Sequence, residues 1–168
     1  MKTNNLSRLC YLSLFPIILV FFVGCGQGNN VQLTDKLVTD SVNLMTNNIS
    51  RDLAVKGPVA WLDYFDDSPK FFMVSDGQLS FSDYPSAQKF IKDTLVKNMS
   101  KITLQWKDKR INIFSGHVAS ICSGFHEDIT MANGQTVTFN GYFSGMVIWT
   151  PKGWKFANLH WSTPKPAH

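Results

Sequence analysis

The sequence predicts an α+β fold, three helices followed by a long antiparallel meander. Two observations carry this. Apolar residues step by three or four from Val31 to Leu53, and from Lys101 onward they alternate with polar ones. Turn signals at Asp76-Gly77, Asn133-Gly134 and Pro151-Lys152-Gly153 separate the segments.

Val31, Thr34, Val38, Val42, Met45, Ile49 and Leu53 form one stripe, widened by Leu37 and Leu44. That spacing gives an amphipathic helix of about seven turns. Gly57-Pro58 stops it, and Pro58 suits the first turn of a short second helix, Val59 to Phe65. Asp66-Asp67-Ser68-Pro69 reads as a turn. Phe71 to Val74 and Gln78 to Phe81 are short strands joined by the Asp76-Gly77 hairpin signal. A third helix opens at Ser82 or Asp83 with Pro85 near its first turn, and Ala87, Phe90, Ile91, Leu95 and Val96 form its buried stripe.

In the meander Ile102, Leu104 and Trp106 alternate with polar residues, and Lys107-Asp108-Lys109-Arg110 reads as a turn before Ile111 and Ile113. Val118 to Met131, Thr136 to Thr150 and Trp154 to Thr163 are the remaining strands. With Pro151-Lys152-Gly153 as a three-residue loop, Phe143 pairs with Trp161, Gly145 with Leu159 and Val147 with Ala157 on an apolar face. The other face pairs Tyr142 with Ser162, Ser144 with His160, Met146 with Asn158 and Ile148 with Phe156. It is too apolar for plain solvent and suggests contact with another subunit. A slip of one residue would swap the faces.

The N-terminus has a different character. Lys2 and Arg8 precede an apolar run from Leu9 to Val23, and Gly24-Cys25 closes it, the three-part layout of a secretory signal. The run is short for a membrane-crossing helix and Pro16 interrupts it. Val23-Gly24-Cys25 resembles a bacterial lipobox, in which the cysteine takes a diacylglycerol and becomes the new N-terminus. Phe22 stands where that pattern prefers Leu. An ordinary signal, or an uncleaved anchor with an incidental cysteine, is the alternative. The expected organisation is therefore a signal peptide over 1–24, a flexible tether over 25–30, one domain over 31–163 and a tail over 164–168. Buried acyl chains gain about 0.8 kcal/mol per CH₂, enough for several chains to hold a domain at a bilayer. The expected location is the bacterial cell envelope, outside the cytoplasm, with the membrane reached through lipid on Cys25.

Two of the 16 basic residues fall in that signal, so the remainder sit against 12 acidic ones and leave a net charge of +2. No clustered basic face is legible, and no nucleic-acid partner is expected. Cys122 is the one cysteine outside the leader and lipobox, which excludes an internal disulfide. The four histidines show no metal-binding spacing, and there is no glycine-rich phosphate loop. No metal or cofactor is expected.

Gly153-Trp154-Lys155-Phe156-Ala157-Asn158-Leu159-His160-Trp161-Ser162 resembles the closing strand of nuclear transport factor 2-like (NTF2-like) domains, especially the SnoaL-like group. There a Trp follows a Gly-containing turn and an H-x-S ending closes the strand. The helix order and the Phe143-to-Trp149 strand agree, so the resemblance spans roughly residues 31–163. It implies a cone, in which three N-terminal helices pack in a strongly curved antiparallel sheet with a pocket between sheet and helices. It also implies a homodimer through the convex face, here Tyr142, Ser144, Met146, Ile148, Phe156, Asn158 and His160.

The group includes isomerases, cyclases and dehydratases beside non-catalytic binding domains. Asp63 and Tyr64 lie near where isomerase groups sit, but no catalytic residue transfers position by position. His117 would act as an acid, base or ligand contact if it shared the concave face with Phe125 and Glu127; a turn-flanking surface histidine is the plainer reading. The aromatic residues either line a pocket or fill it. Trp61, Phe125, Phe143 and Trp161 are the expected wall, with Tyr64 and His117 as polar contacts. The expected function is uptake of a small apolar or aromatic molecule. A proton-transfer enzyme would instead need a buried carboxylate or His with a shifted pKa at the pocket floor. A closed core would favour an interaction module.

Overall fold

The computed structural model describes residues 35–164. The leader, Cys25, the tether, the first turn expected at 31–34 and residues 165–168 lie outside the described residues.

Helix α1, Asp35–Lys56, buries Val38, Val42, Met45, Thr46, Ile49 and Leu53. Leu37 and Leu44 remain 50% and 60% exposed, so the stripe is narrower than read. Gly57 takes a φ of +69°, a conformation costly for other residues, and turns the chain out of the helix. The second helix is a 3-10 segment, Gly57–Asp63, rather than an α-helix.

Strands β1, Phe72–Ser75, and β2, Gln78–Phe81, form the expected hairpin. Asp76 (φ 49°) and Gly77 (φ 82°) both adopt the left-handed region, the two-residue turn whose twist matches its strands. Helix α2, Tyr84–Phe90, is capped by Asp83, which accepts from the Ser86 amide at 2.8 Å while Ser86 answers with its hydroxyl. It runs on through a π-type stretch, Ile91–Leu95, and a last turn, Val96–Asn98. Ala87 and Ile91 are buried; Phe90 and Val96, expected on the same stripe, are exposed.

Four long strands follow: β3, Met99–Ser115; β4, Val118–Met131; β5, Thr136–Thr150; and β6, Gly153–Ser162. The sheet order is β2-β1-β6-β5-β4-β3. The sheet is mixed rather than wholly antiparallel, because β1 pairs parallel to β6. The chain path explains this. Phe65 already bridges Phe156 in parallel, with the Phe156 amide donating to the Tyr64 carbonyl (2.8 Å) and the Asp66 amide to the Phe156 carbonyl (2.9 Å). After the turn at 66–71 the chain continues along the same free edge of β6 in the same direction.

Two bulges correct the sequence reading. Lys107-Asp108-Lys109-Arg110 is no turn: β3 is continuous, and two residues there, Asp108 and Lys109, oppose one on β4. Asp108 takes a φ of 51°. The extra residue shifts the alternation, so Ile111 and Ile113 return to the side held by Ile102, Leu104 and Trp106. In the last hairpin the pairs Phe143–Trp161, Gly145–Leu159 and Met146–Asn158 hold as read. Beyond them the register shifts: Val147 faces Phe156 and Thr150 faces Gly153 across a two-residue loop, with Ala157 bulged. Phe156 is therefore fully buried on the inner face, not on the outer one.

The core lies between α1 and the inner face of the sheet. Phe71, Phe143 and Phe156 are fully buried there, each such side chain contributing about 1.5–3 kcal/mol. The β3 bulge also grips α1. Lys109 Nζ donates to Thr46 Oγ1 and Asn47 Oδ1, both at 3.0 Å. Trp106 Nε1 donates to the Thr46 carbonyl at 3.0 Å.

Candidate functional site

A cavity of about 280 Å³ opens between the sheet, the β1–β2 hairpin, the 3-10 segment and the helical stretch 84–98. No residue of α1 lines it, since the stripe of α1 is spent on the core. Its walls are apolar: Trp61, Phe65, Phe125, Phe139, Trp161 and the aliphatic Ile102 and Ile129 are among them. Among the described residues four polar ones reach it, Ser75, Asp76, Glu127 and Thr163.

Trp161 separates the cavity from the core. Its ring meets Phe125 edge-on at 4.7 Å and Trp61 edge-on at 5.7 Å on the cavity side. Behind it stand Phe143 at 4.7 Å and Trp106, stacked at 6.0 Å. Such edge and offset contacts fix ring orientation beyond what area burial does. The cavity wall is thus backed by a rigid aromatic layer.

Glu127 is the chemical centre. On β4 it shares the inward parity of Ile121, Phe125 and Ile129. Its cross-strand partners are Leu104 on β3 and Phe139 on β5. An apolar residue thus flanks the carboxyl on every side along the sheet. Desolvation disfavours its charged form and pushes its pKa from the ordinary 4.5 to about 7. The Glu127 carboxyl makes no hydrogen bond or ion pair among the described residues. Asp76, at the cavity edge in the hairpin turn, is exposed and occupied: it accepts from the Thr163 amide at 2.7 Å and from the Thr163 hydroxyl.

The expected pocket residues separate into two groups. Trp61, Phe125 and Trp161 line the cavity. Phe143 lies one layer behind, fully buried. Tyr64 points to α1, where its hydroxyl donates to Asp52 Oδ2 at 2.8 Å. Burial and the neighbouring Asp52 push the Tyr64 phenol well up, and the same bond holds Asp52 low. His117 sits exposed in the β3–β4 turn, its carbonyl accepting from the Trp149 amide at 2.8 Å, off the cavity. The concave-face alternative thus fails for His117 and leaves Glu127. The signal for Glu127 was present: it is the one charged residue on the apolar parity of β4. His126 and Asp128 alternate to the other face and contact each other at 3.3 Å. Among the described residues no three His, Cys, Asp or Glu side chains converge as a metal site.

The outer sheet face carries a groove that includes Phe72, Cys122, Ser144, Met146, Asn158 and His160. Met146 and Phe72 are exposed in it, and Tyr142 is exposed on the same face of β5.

A bent mixed sheet folded over helices, with an aromatic hollow beside them, defines an α+β cone. Solved structures of NTF2-like proteins share it, and the chain has that fold. An NTF2-like superfamily protein from Salmonella enterica serovar Typhimurium superposes with a TM-score of 0.68 at 21% identity, over 80% of this chain and 96% of its own. A candidate aromatic ring hydroxylase from Novosphingobium aromaticivorans gives 0.66 at 17% identity, over 80% and 94%. A candidate scytalone dehydratase from the same organism gives 0.65 at 13%, over 77% and 87%. No protein-family model and no curated protein matches the sequence.

Proposed function

We propose that this protein takes up a small apolar or aromatic molecule in its cavity, as a cell-envelope module held at the membrane by lipid on Cys25. The supporting observation is the cavity itself, whose lining is aromatic and aliphatic apart from four residues. Ligand pockets are mostly apolar with a few convergent polar groups, and each Å² of apolar surface buried contributes about 25 cal/mol. Calorimetric titration with naphthylmethanol tests the site. Saturable heat is expected, and Met73→Trp, which fills the cavity from β1, should abolish it. Equal binding by both proteins would place the ligand elsewhere. For the anchor, labelled palmitate should stay with the protein and vanish in Cys25→Ser; an unlabelled wild type would refute it. Among the described residues no helix is long and apolar enough to cross a membrane.

Glu127 favours a second reading, proton transfer in the same cavity. A carboxyl titrating near neutrality can both give and take a proton. An isomerase, cyclase or dehydratase would use it so. Deuterium uptake from solvent into an enolisable aryl ketone, followed by NMR, should exceed the buffer rate and fall to it in Glu127→Gln. Exchange at the buffer rate in the wild type would dismiss this reading.

The outer sheet face supports a homodimer through Tyr142, Ser144, Met146, Ile148, Asn158 and His160, without Phe156. Sedimentation should give a dimer for the wild type and a monomer for Met146→Arg; a monomeric wild type would overturn it.

A further inference from the structure

Among the described residues the ionisable groups that line the cavity, Glu127 and Asp76, are both acids, and no Lys, Arg or His reaches it. This contrasts with the chain as a whole, whose net charge is +4. Asp76 is exposed and already accepts from Thr163. Glu127 differs. Among the described carboxylates it is the one that is both withdrawn from solvent and without a hydrogen bond or ion pair. Asp52, also sheltered, has Tyr64, Arg51 and Lys56 around it.

A carboxylate held largely out of water without a counter-charge is costly, and the cost is relieved when a cation is brought to it. The surroundings also suit a cation. Phe125 lies two residues along the strand from Glu127 and Phe139 directly across from it. Trp161 and Trp61 continue the wall. Aromatic faces are negative and attract an ammonium group, most strongly where water is excluded. An anionic ligand would be repelled by the same groups. An enolate would need donors at its oxygen, and beyond a protonated Glu127 the described lining residues offer only the hydroxyls of Ser75 and Thr163.

We propose that the cavity's ligand is a small hydrophobic amine, its ammonium held between the Glu127 carboxylate and the neighbouring aromatic faces. This rests on the cavity being a ligand site, as proposed above, and adds the charge of the ligand. The amine supplies the partner that the fold withholds from Glu127, and the rings bury its apolar body.

Three probes of one shape test it: naphthylmethylamine, naphthylmethanol and naphthoate, titrated calorimetrically at about pH 8, where both Glu127 and the amine are charged. The amine should bind at least about tenfold more tightly than the alcohol, and naphthoate most weakly. In Glu127→Gln the amine-to-alcohol ratio should fall severalfold, to what the aromatic faces alone contribute. Equal binding of amine and alcohol to the wild type would overturn the amine proposal while leaving the cavity as a ligand site. A preference for amine left undiminished in Glu127→Gln would also overturn it, since charge recognition would then lie elsewhere. Failure of every probe to bind would remove both proposals together.

Discussion

Replacing Glu127 by Gln should stabilise the protein, and only at higher pH. The carboxyl has an ordinary pKa of 4.5 and about 7 in the fold. The folded state therefore holds this proton more tightly than the unfolded state. Below about pH 4.5 the group is protonated in both and contributes no penalty. As pH rises from there to about 7, unfolding releases a proton, and wild-type stability declines until the curve levels. The full gap corresponds to roughly 3 kcal/mol at 1.36 kcal/mol per pKa unit. Part of the residue still touches water, so about 2 kcal/mol is the expected gain. Gln keeps the shape and cannot titrate. Urea unfolding followed by tryptophan fluorescence, at about pH 4, 6 and 8, reads the difference between the two proteins. Every other side chain is the same in the two proteins and cancels in the comparison. The expected difference is near zero at pH 4 and largest at pH 8, in favour of Glu127→Gln. A difference that does not change with pH would refute the account of a desolvated carboxyl.

Other substitutions probe the frame around the site. Phe143→Ala removes a fully buried ring that touches Trp161 and Phe156 and should cost about 3–5 kcal/mol in urea unfolding. Gly141→Ala would put a methyl 2.0 Å from the Ser162 carbonyl oxygen and 3.0 Å from the Phe125 ring. The ends of β5 and β6 must then part, at about 1–3 kcal/mol, with faster amide exchange there. Tyr64→Phe removes the bond to Asp52 and should cost about 1–2 kcal/mol near neutral pH. Asp52 is held low chiefly by that bond, so its contribution is present above the ordinary value of 3.8 and fades as pH falls through the folded value. The cost of Tyr64→Phe should fade with it. Asp83→Ala removes the cap of α2 and should cost about 1 kcal/mol by thermal unfolding.

Much of the frame is legible in the sequence because it rests on local chemistry. Asp76-Gly77 and Asn133-Gly134 announce their turns, Gly57-Pro58 ends the first helix, and the alternation through Val118 to Met131 sets the inner face of β4. What escapes is decided by geometry at a distance. The parallel pairing of β1 depends on the free edge of β6, which no local pattern marks. The bulges at Asp108–Lys109 and Ala157 carry ordinary residues, so a turn and a longer loop read equally well. The site shows the same division. Trp61, Phe125 and Trp161 follow from aromatic content and parity, while His117 and Tyr64 stand out by chemical type alone and lie off the cavity. Glu127 becomes decisive only when Leu104 and Phe139 are seen on either side of it.

The two bulges have a consequence for comparing this chain with distant relatives. Each inserts one residue and so exchanges inside for outside along everything that follows. An alignment that runs ungapped through Asp108 or Ala157 against a bulge-free strand would match wall residues with surface residues for the rest of that strand. Residue roles are therefore safely transferred between such proteins by superposed backbones, with a single-position offset introduced at those two points.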